Sequence, residues 1–317
     1  MQRVKKLLEN RTFIQILPIL FLIVLVIVFS ALNERFATPT TFKLIFEAAL
    51  PVGVVATGAT FIFATGNVNL AMGATTVLTA TLAGMAYNAT GSLPVMILTA
   101  IGLGVGLMVI SALLSTLFQV RVMFVTIVMM TLLSAIQQSI LGGSTVSLPY
   151  DLVDTLTKGR FAYLIFTLFF VFCVVVFHFT NIGRSLKMLG TNDTNAEQTG
   201  IEKSRFLMIA FVIAGIGCGI GAMVALIRSG SVGTRTLPSL NMDCMLAIVL
   251  GGMSIFGGSK SFVYSGFVGA LTVGVLNQGL LMVGVESTII QAVRGVLFLL
   301  LIVTAQQRPK GLPAPEG

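Results

Sequence analysis

Uncharged amide side chains interrupt the long apolar runs of this sequence. Asn67 and Asn69 lie near the end of one run, and Asn277 and Gln278 lie within another. A polar side chain at membrane depth is costly, so such residues tend to face a cavity or another helix. Amides donate and accept hydrogen bonds without carrying charge, which suits a neutral, sugar-like solute. We predict that these four residues line a solute pathway; the alternative is hydrogen bonding between helices.

Residue arrangements typical of catalysis are not visible in the sequence. It has no HExxH motif, no cluster of Cys and His residues and no Ser-His-acid arrangement. Residues 251–261 are similar to a phosphate-binding loop. However, Ser259 stands where a glycine must precede Lys260, and no strand leads into the segment. We therefore expect no catalytic residue, no metal site and no ATP site in this chain.

A polar stretch at residues 183–205 separates two apolar runs and contains the signal for a short helix. The residues from Thr194 to Glu197 fit a capping box, with Thr194 as N-cap and Glu197 reaching back to it. Gly200 stands where a left-handed glycine would end this helix after little more than one turn. So short a helix is not stable alone in water. We therefore predict that it lies on the surface of a soluble partner.

The composition is that of an integral membrane protein. Of 317 residues, 56% are hydrophobic and only 9% are charged, with a mean hydropathy of +1.01; a soluble domain carries roughly 25% charged residues. The apolar runs are helix-length, which predicts an all-α polytopic fold with the lipid bilayer as partner. The net charge of +8 comes from Lys and Arg at the ends of apolar runs. That distribution argues against nucleic-acid binding.

The runs predict about ten transmembrane helices in a single domain over residues 1–317. The segment at 243–256 is short for a bilayer that needs about 20 residues. The ten predicted segments are 13–32, 42–65, 70–87, 93–118, 122–142, 160–180, 206–228, 243–256, 261–283 and 288–305.

The distribution of Lys and Arg orients these helices. With the N-terminus inside, twelve of the Lys and Arg residues lie inside, at positions 3, 5, 6, 11, 121, 184, 187, 203, 205, 260, 308 and 310. Six lie outside, at positions 35, 43, 158, 160, 228 and 235, and Arg294 falls in the last span. This bias predicts that both termini, and a loop at about 181–205, are cytoplasmic. Five helices plus five would have opposite orientations, which is the condition for an inverted pseudo-repeat, although no internal sequence repeat is visible.

Two further features leave alternatives open. Arg294 could extend to the membrane surface, pair with Glu47 or Glu286, or lie near the pathway. The glycines near residues 102–106 and 215–221 fit close helix packing inside one subunit better than a seam between two subunits.

Four segments resemble motifs of the permease subunits of bacterial ABC importers in the ribose/galactose/xylose group. They follow in the right order across nearly the whole chain. Residues 65–73 resemble T-G-G-I-D-L-S-V-G, residues 190–201 resemble G-x-N-x-x-A-A-x-x-S-G-I, residues 243–258 resemble D-A-I-A-A-V-V-L-G-G-T-S-L-x-G-G, and residues 276–280 with 294–295 resemble L-N-N-G-L and K-G.

The resemblance implies a permease of the bacterial inner membrane that imports a sugar or sugar-like solute. ATP and Mg would bind a separate ATPase, not this chain. The other implied partners are a second permease, identical or homologous, and an extracytoplasmic solute-binding protein. The cytoplasmic helix would couple to the ATPase through the residues Asn192, Asp193, Thr194, Asn195, Ala196, Glu197, Gln198, Thr199, Gly200 and Ile201.

Departures from the family pattern bear on the solute more than on the class. Asn69 replaces an acidic residue, Asn67 a glycine and Ala71 a serine. A nucleoside, an inositol or a furanone is therefore as open as a pentose. The alternatives to an importer are a self-sufficient secondary transporter or channel, and a scaffold subunit without a pathway. A secondary transporter driven by an ion gradient would favour buried carboxylates, which are scarce here.

Overall fold

The computed structural model describes residues 11–158, 160–234, 239–254, 256–258 and 261–305. Each of the ten predicted apolar segments contains a helix. Three short helices, α6, α8 and α9, lie between them. The helices are α1 (Arg11–Leu32), α2 (Pro39–Ala64), α3 (Met72–Thr90), α4 (Leu93–Leu117), α5 (Val122–Leu141), α6 (Tyr150–Lys158), α7 (Phe161–Phe179), α8 (Asn181–Thr191), α9 (Asp193–Gln198), α10 (Lys203–Ser229), α11 (Leu240–Leu250), α12 (Tyr264–Met282) and α13 (Ser287–Ala305).

Two long helices, α2 and α10, form the centre of the molecule. In the most apolar stretch of each helix, 83% of the residues of α2 and 78% of those of α10 are buried. The corresponding value for α4, α5 and α7 is 28%. Glycine lets them approach closely, because a Cβ on Gly58 would lie 3.2 Å from the Ala214 Cα. Helix α4 packs on α10 in the same way, since a Cβ on Gly104 would lie 2.5 Å from the Gly215 carbonyl oxygen. The prediction that these glycines pack within one subunit is confirmed for Gly104 and for the glycines from Gly215 to Gly221, but not for Gly102 and Gly106, which face open space.

The two central helices are each followed by a break and a shorter helix. Residues 65–71 separate α2 from α3, and residues 230–239 separate α10 from α11. The beginnings of the two shorter helices meet, because the Asn241 side-chain oxygen accepts a hydrogen bond from the Gly73 N–H. Helix α11 has 11 residues and spans only about 16 Å. Within the predicted segment 243–256, the helix therefore ends at Leu250 and is shorter than the segment predicted.

The molecule has two opposite ends, which we name by their contents. The loop side carries α8 and α9 together with the end of α2, where Gly190 meets Ala64. The ribbon side carries an antiparallel pair of two-residue strands, β1 (Val146–Ser147) and β2 (Ser231–Val232). This ribbon joins the end of α5 to the end of α10, and it is a small correction to the all-α expectation.

Six of the described helices are long and apolar enough to cross a membrane: α2, α4, α5, α7, α10 and α12. Shorter apolar stretches occur in α1, α11 and α13. Large apolar side chains on the outer helices are exposed, including Leu98 at 72% and Phe124 at 59%. Such a surface is stable only against lipid or another apolar partner.

Candidate functional site

The predicted partner-binding helix exists, but it begins two residues earlier than the sequence suggested. Asn192 is the N-cap of α9, and its side-chain oxygen accepts a hydrogen bond from the Asn195 N–H at 3.1 Å. Thr194 lies inside the helix. The capping box built on Thr194 and Glu197 is therefore wrong. Both Asn and Thr are good N-caps, and the packing of the next turn decides which of them is used.

The end of α9 was predicted correctly. Gly200 adopts the left-handed conformation, with φ at +83°. The Gly200 N–H donates to the Glu197 carbonyl at 2.9 Å, and the Ile201 N–H donates to the Ala196 carbonyl at 3.1 Å. These two bonds form a Schellman motif, which turns the chain sharply towards α10.

Helix α9 lies on a surface of its own chain. Helix α8 is amphipathic and buries Leu186 and Leu189. Ala196 is the buried side chain of α9, at 1% exposure, and it packs in this region beside α8. Asp193 also forms an ion pair with Lys203 in the first turn of α10. The expectation that this helix lacks a surface without a partner is therefore wrong.

Most of the other residues predicted to couple to a partner remain accessible. Asp193 and Ile201 are half-buried. The exposed members are Asn192, Thr194, Asn195, Glu197, Gln198, Thr199 and Gly200.

A cleft of about 840 Å³ lies between the end of α9 and the turn from α4 to α5. Glu197, Gly200 and Ile201 line one wall, the residues from Gln119 to Val122 line another, and Asn67 also borders the cleft. The structure therefore brings one predicted pathway residue together with three predicted coupling residues. Sequence reasoning had placed these residues in separate sites.

Asn69 lies two residues beyond Asn67 and is fully buried. Its side-chain oxygen accepts a hydrogen bond from the Ala71 N–H at 2.8 Å, and its amide nitrogen lies 3.2 Å from the Met108 sulfur. A thioether is a weak acceptor, so the amide N–H group is poorly satisfied for a buried donor. These contacts fix the backbone just before α3. A role for Asn69 in a pathway stays a prediction.

Asn277 and Gln278 are separated from the other two amides. They lie near the end of α12, where the Met282 carbonyl accepts a hydrogen bond from the Asn33 side chain at 2.8 Å. This end belongs to the ribbon side, because α2 begins there and runs about 39 Å to the loop side. Both residues are half-buried, and the Asn277 side-chain oxygen has no hydrogen-bond partner in the protein. The four predicted pathway residues therefore form two pairs.

Sequence reasoning missed an ion pair in the second half of the chain. Arg294 of α13 bonds to Asp243 in the first turn of α11, and both residues are buried. The Ser239 hydroxyl donates to the same carboxylate at 3.0 Å. Neither suggested partner of Arg294 is used, and Glu47 instead accepts a hydrogen bond from the Tyr163 hydroxyl at 2.8 Å. The available signal was the pair of opposite charges inside apolar runs, since a buried charge needs a partner.

The chain is similar to known transport proteins over most of its length. The profile of the family described as "Branched-chain amino acid transport system / permease component" matches residues 42–305. The ribose import permease protein of Escherichia coli strain K12 is 25% identical over 90% of this chain and 92% of its own length. The galactofuranose transporter permease protein of the same strain is 28% identical over 83% of this chain and 79% of its own length.

A third relative carries a different solute in its name. The autoinducer 2 import system permease protein of Escherichia coli strain SMS-3-5 is 26% identical over 89% of this chain and 88% of its own length. No solved structure matches the chain significantly. The family match together with these relatives confirms the resemblance to sugar ABC importer permeases and a multi-pass location in the inner membrane. The chain therefore belongs to the family described as "Branched-chain amino acid transport system / permease component".

Proposed function

We propose that this chain is the solute-translocating subunit of an ATP-driven importer, with the α8–α9 loop as the contact for a separate ATPase. The observation that carries the proposal is the construction of this loop. It presents an exposed capped helix, and the Asp193–Lys203 ion pair and the Schellman turn attach that helix to α10. Helix α10 continues through the centre of the molecule. A displacement of α9 by a partner would therefore reach the core directly.

The proposed topology places the loop side in the cytoplasm. The excess of Lys and Arg on that side supports this orientation and puts both chain termini there. It also gives about ten membrane helices, of which α11, with 11 residues, is the shortest. The predicted 181–205 loop then corresponds to α8, α9 and the start of α10.

An inverted five-plus-five repeat is supported by how the helices pack. Helix α2 corresponds to α10, α3 to α11 and α4 to α12. Helix α4 packs on α10 while α12 packs on α2. The corresponding helices α2 and α10 run in opposite directions, because Gly58 meets Ala214 whereas Gly221 meets Pro51. The starts of α3 and α11 meet through Gly73 and Asn241. A pathway between two such halves is the usual arrangement in transporters built from inverted repeats.

We propose a sugar or sugar-like solute without net charge. The buried amides carry no charge, and the buried Asp243 carboxylate is neutralised by Arg294. Asp243 and Arg294 together therefore leave no net charge that would bind an ion. The relatives named for ribose, galactofuranose and autoinducer 2 leave the individual solute open. The proposed partners are an ATPase that binds ATP and Mg, a second permease and an extracytoplasmic binding protein.

The test is purification of the tagged chain from its native membrane in mild detergent, followed by mass spectrometry. We expect an ATPase to co-purify with the wild type and to be lost when Glu197→Arg reverses an exposed charge on α9. Asp151→Arg, on the exposed surface of α6 at the ribbon side, is the matched control and should retain the ATPase. A chain that purifies alone and moves solute into vesicles without ATP would instead be a secondary transporter.

A further inference from the structure

Three separate chain segments meet at the loop side mainly through their backbones, and the Thr191 hydroxyl oxygen would lie 3.2 Å from a Cβ on Gly258. They are the end of α2 with Gly66, the end of α8 with Gly190, and the loop after α11 with Gly257 and Gly258. We call these four glycines the glycine joint. Three of the four segments that carry the family resemblance therefore converge at one point.

The tightest contact of the glycine joint is at Gly190. The Gly258 N–H donates a hydrogen bond to the Ala64 carbonyl oxygen at 3.1 Å. A Cβ on Gly190 would overlap that oxygen and would lie 2.6 Å from the Gly258 nitrogen. A methyl group at position 190 would therefore press on both atoms of this hydrogen bond. Only glycine lets α8 touch the bond that joins α2 to the loop after α11.

The second contact of the glycine joint also requires glycine on both sides. Gly66 and Gly257 have φ values of +76° and +69°, in the left-handed region that other residues rarely adopt. A Cβ on Gly257 would overlap the Gly66 nitrogen. A Cβ on Gly66 would lie 3.0 Å from the Phe256 carbonyl oxygen, which is a milder conflict.

The elements that meet at the glycine joint have different roles in the proposed transport mechanism. Helix α8 carries α9, the proposed contact for the ATPase. Helix α2 leads into the break with Asn67 and Asn69 in the first half, and the loop after α11 belongs to the second half. Backbone packed on backbone has no side-chain rotamers that could absorb a displacement. A movement of α8 would therefore be passed to both halves together.

We propose that Gly66, Gly190, Gly257 and Gly258 are positioning residues that transmit movement of the α8–α9 loop to the break after α2 and the loop after α11. This inference rests on the proposed coupling to an ATPase. It adds a second connection, separate from the attachment of α9 to α10. Without the glycine joint, movement of the loop would reach α10 but would no longer move the Asn67–Asn69 segment.

The test uses the chain purified with its ATPase and placed in lipid nanodiscs, with ATP and vanadate as the probe. Hydrogen exchange is measured by mass spectrometry on peptides that cover α8–α9, residues 65–71 and residues 251–258. In the wild type, we expect ATP and vanadate to change exchange in all three regions. In Gly190→Ala, we expect the change in α8–α9 to remain and the changes in the other two regions to be lost.

Two further variants make the result decisive. Gly106→Ala adds a methyl group to a helical glycine that faces open space, and it should behave like the wild type. Gly66→Ala imposes the milder conflict, and it should weaken the response at residues 65–71 without abolishing it. Wild-type responses in Gly190→Ala would overturn the inference. It would also be overturned if neither Gly190→Ala nor Gly66→Ala could be recovered from the membrane, because the glycine joint would then serve only folding. A wild-type complex without any response in α8–α9 would overturn the proposed coupling itself.

Discussion

The two halves of the molecule hold their outer helices α5 and α13 by opposite kinds of contact. In the first half, Ala74 and Leu78 of α3 pack in one apolar cluster with Met129 and Leu133 of α5. In the second half, the pair that would correspond under the proposed repeat is α11 and α13, and it is joined by the buried ion pair between Asp243 and Arg294. Among the α13 side chains described up to position 301, only those at positions 290 and 294 are buried.

This difference shows how one architecture can use two sources of specificity in a membrane. Apolar side chains gain little from leaving lipid tails, which are equally apolar, so the α3–α5 contact depends on close packing over several residues. A buried ion pair depends on one geometry, and removing one partner leaves an uncompensated charge. We infer that many small contacts hold α5, whereas α13, which also packs Phe298 and Leu301 against the apolar core, takes its specific position from one charged contact.

The largest expected effect comes from removing one charge of the buried pair. Arg294→Met keeps the length of the side chain but leaves the buried Asp243 carboxylate without its counter-charge, with only the Ser239 hydroxyl as a partner. We expect the free energy of unfolding to fall by about 3–5 kcal/mol, measured by dodecyl sulfate titration of the purified protein. Arg205→Met, at an exposed arginine in the first turn of α10, should change it by less than about 0.5 kcal/mol. A loss at Arg294 no larger than that at Arg205 would contradict the comparison.

A smaller effect is expected from the apolar contact of the first half. Leu133→Ala removes a fully buried side chain from the cluster between α3 and α5. We expect a loss of about 2 kcal/mol in the same titration, at the low end for a buried leucine. Leu132 is 49% exposed, so Leu132→Ala is a matched control and should have little effect. If Leu133→Ala destabilised the protein more than Arg294→Met, the assignment of the stronger single contact to the second half would be wrong.

The sequence predicted the helices well and the contacts between them poorly. A helix occurs in each predicted apolar segment because length and hydropathy are local properties. The end of α9 at Gly200 was predictable for the same reason, since a left-handed turn needs glycine within a few residues. By contrast, the choice of Asn192 over Thr194 as N-cap depends on where Ala196 packs beside α8.

Long-range pairing was the main limit of sequence reasoning. From the sequence, Arg294 could pair with any of several carboxylates. Only the packing of α11 against α13 selects Asp243, which is 51 positions away. The four pathway amides were grouped by residue type, but the fold places one pair at the break after α2 and the other near the end of α12. The glycine joint was not predicted, because its three segments are distant in sequence.

Removing both charges of the buried pair separates charge compensation from packing. In the double variant Asp243→Leu with Arg294→Met, no unpaired charge remains. Apolar replacements of buried ion pairs are often neutral or stabilising. We expect the free energy of unfolding to lie within about 1 kcal/mol of the wild type. A double variant as unstable as Arg294→Met alone would show that the geometry of the pair holds α13 in place, beyond the neutralisation of Asp243.

The smallest effect is expected at the ion pair between Asp193 and Lys203, which joins a carboxylate to a cation in a more exposed environment. Asp193 and Lys203 are each about 45% exposed on the side chain, whereas Asp243 and Arg294 are about 10% exposed. Water screens the exposed pair, so Lys203→Met should lower the free energy of unfolding by less than about 1 kcal/mol, and added salt should reduce the difference further. The buried pair should show little dependence on salt in the same titration. A loss at Lys203 that matches the loss at Arg294 and persists in high salt would mean that burial is not what distinguishes the two contacts. It would then follow that the α8–α9 loop is as firmly fixed to α10 as α13 is to α11.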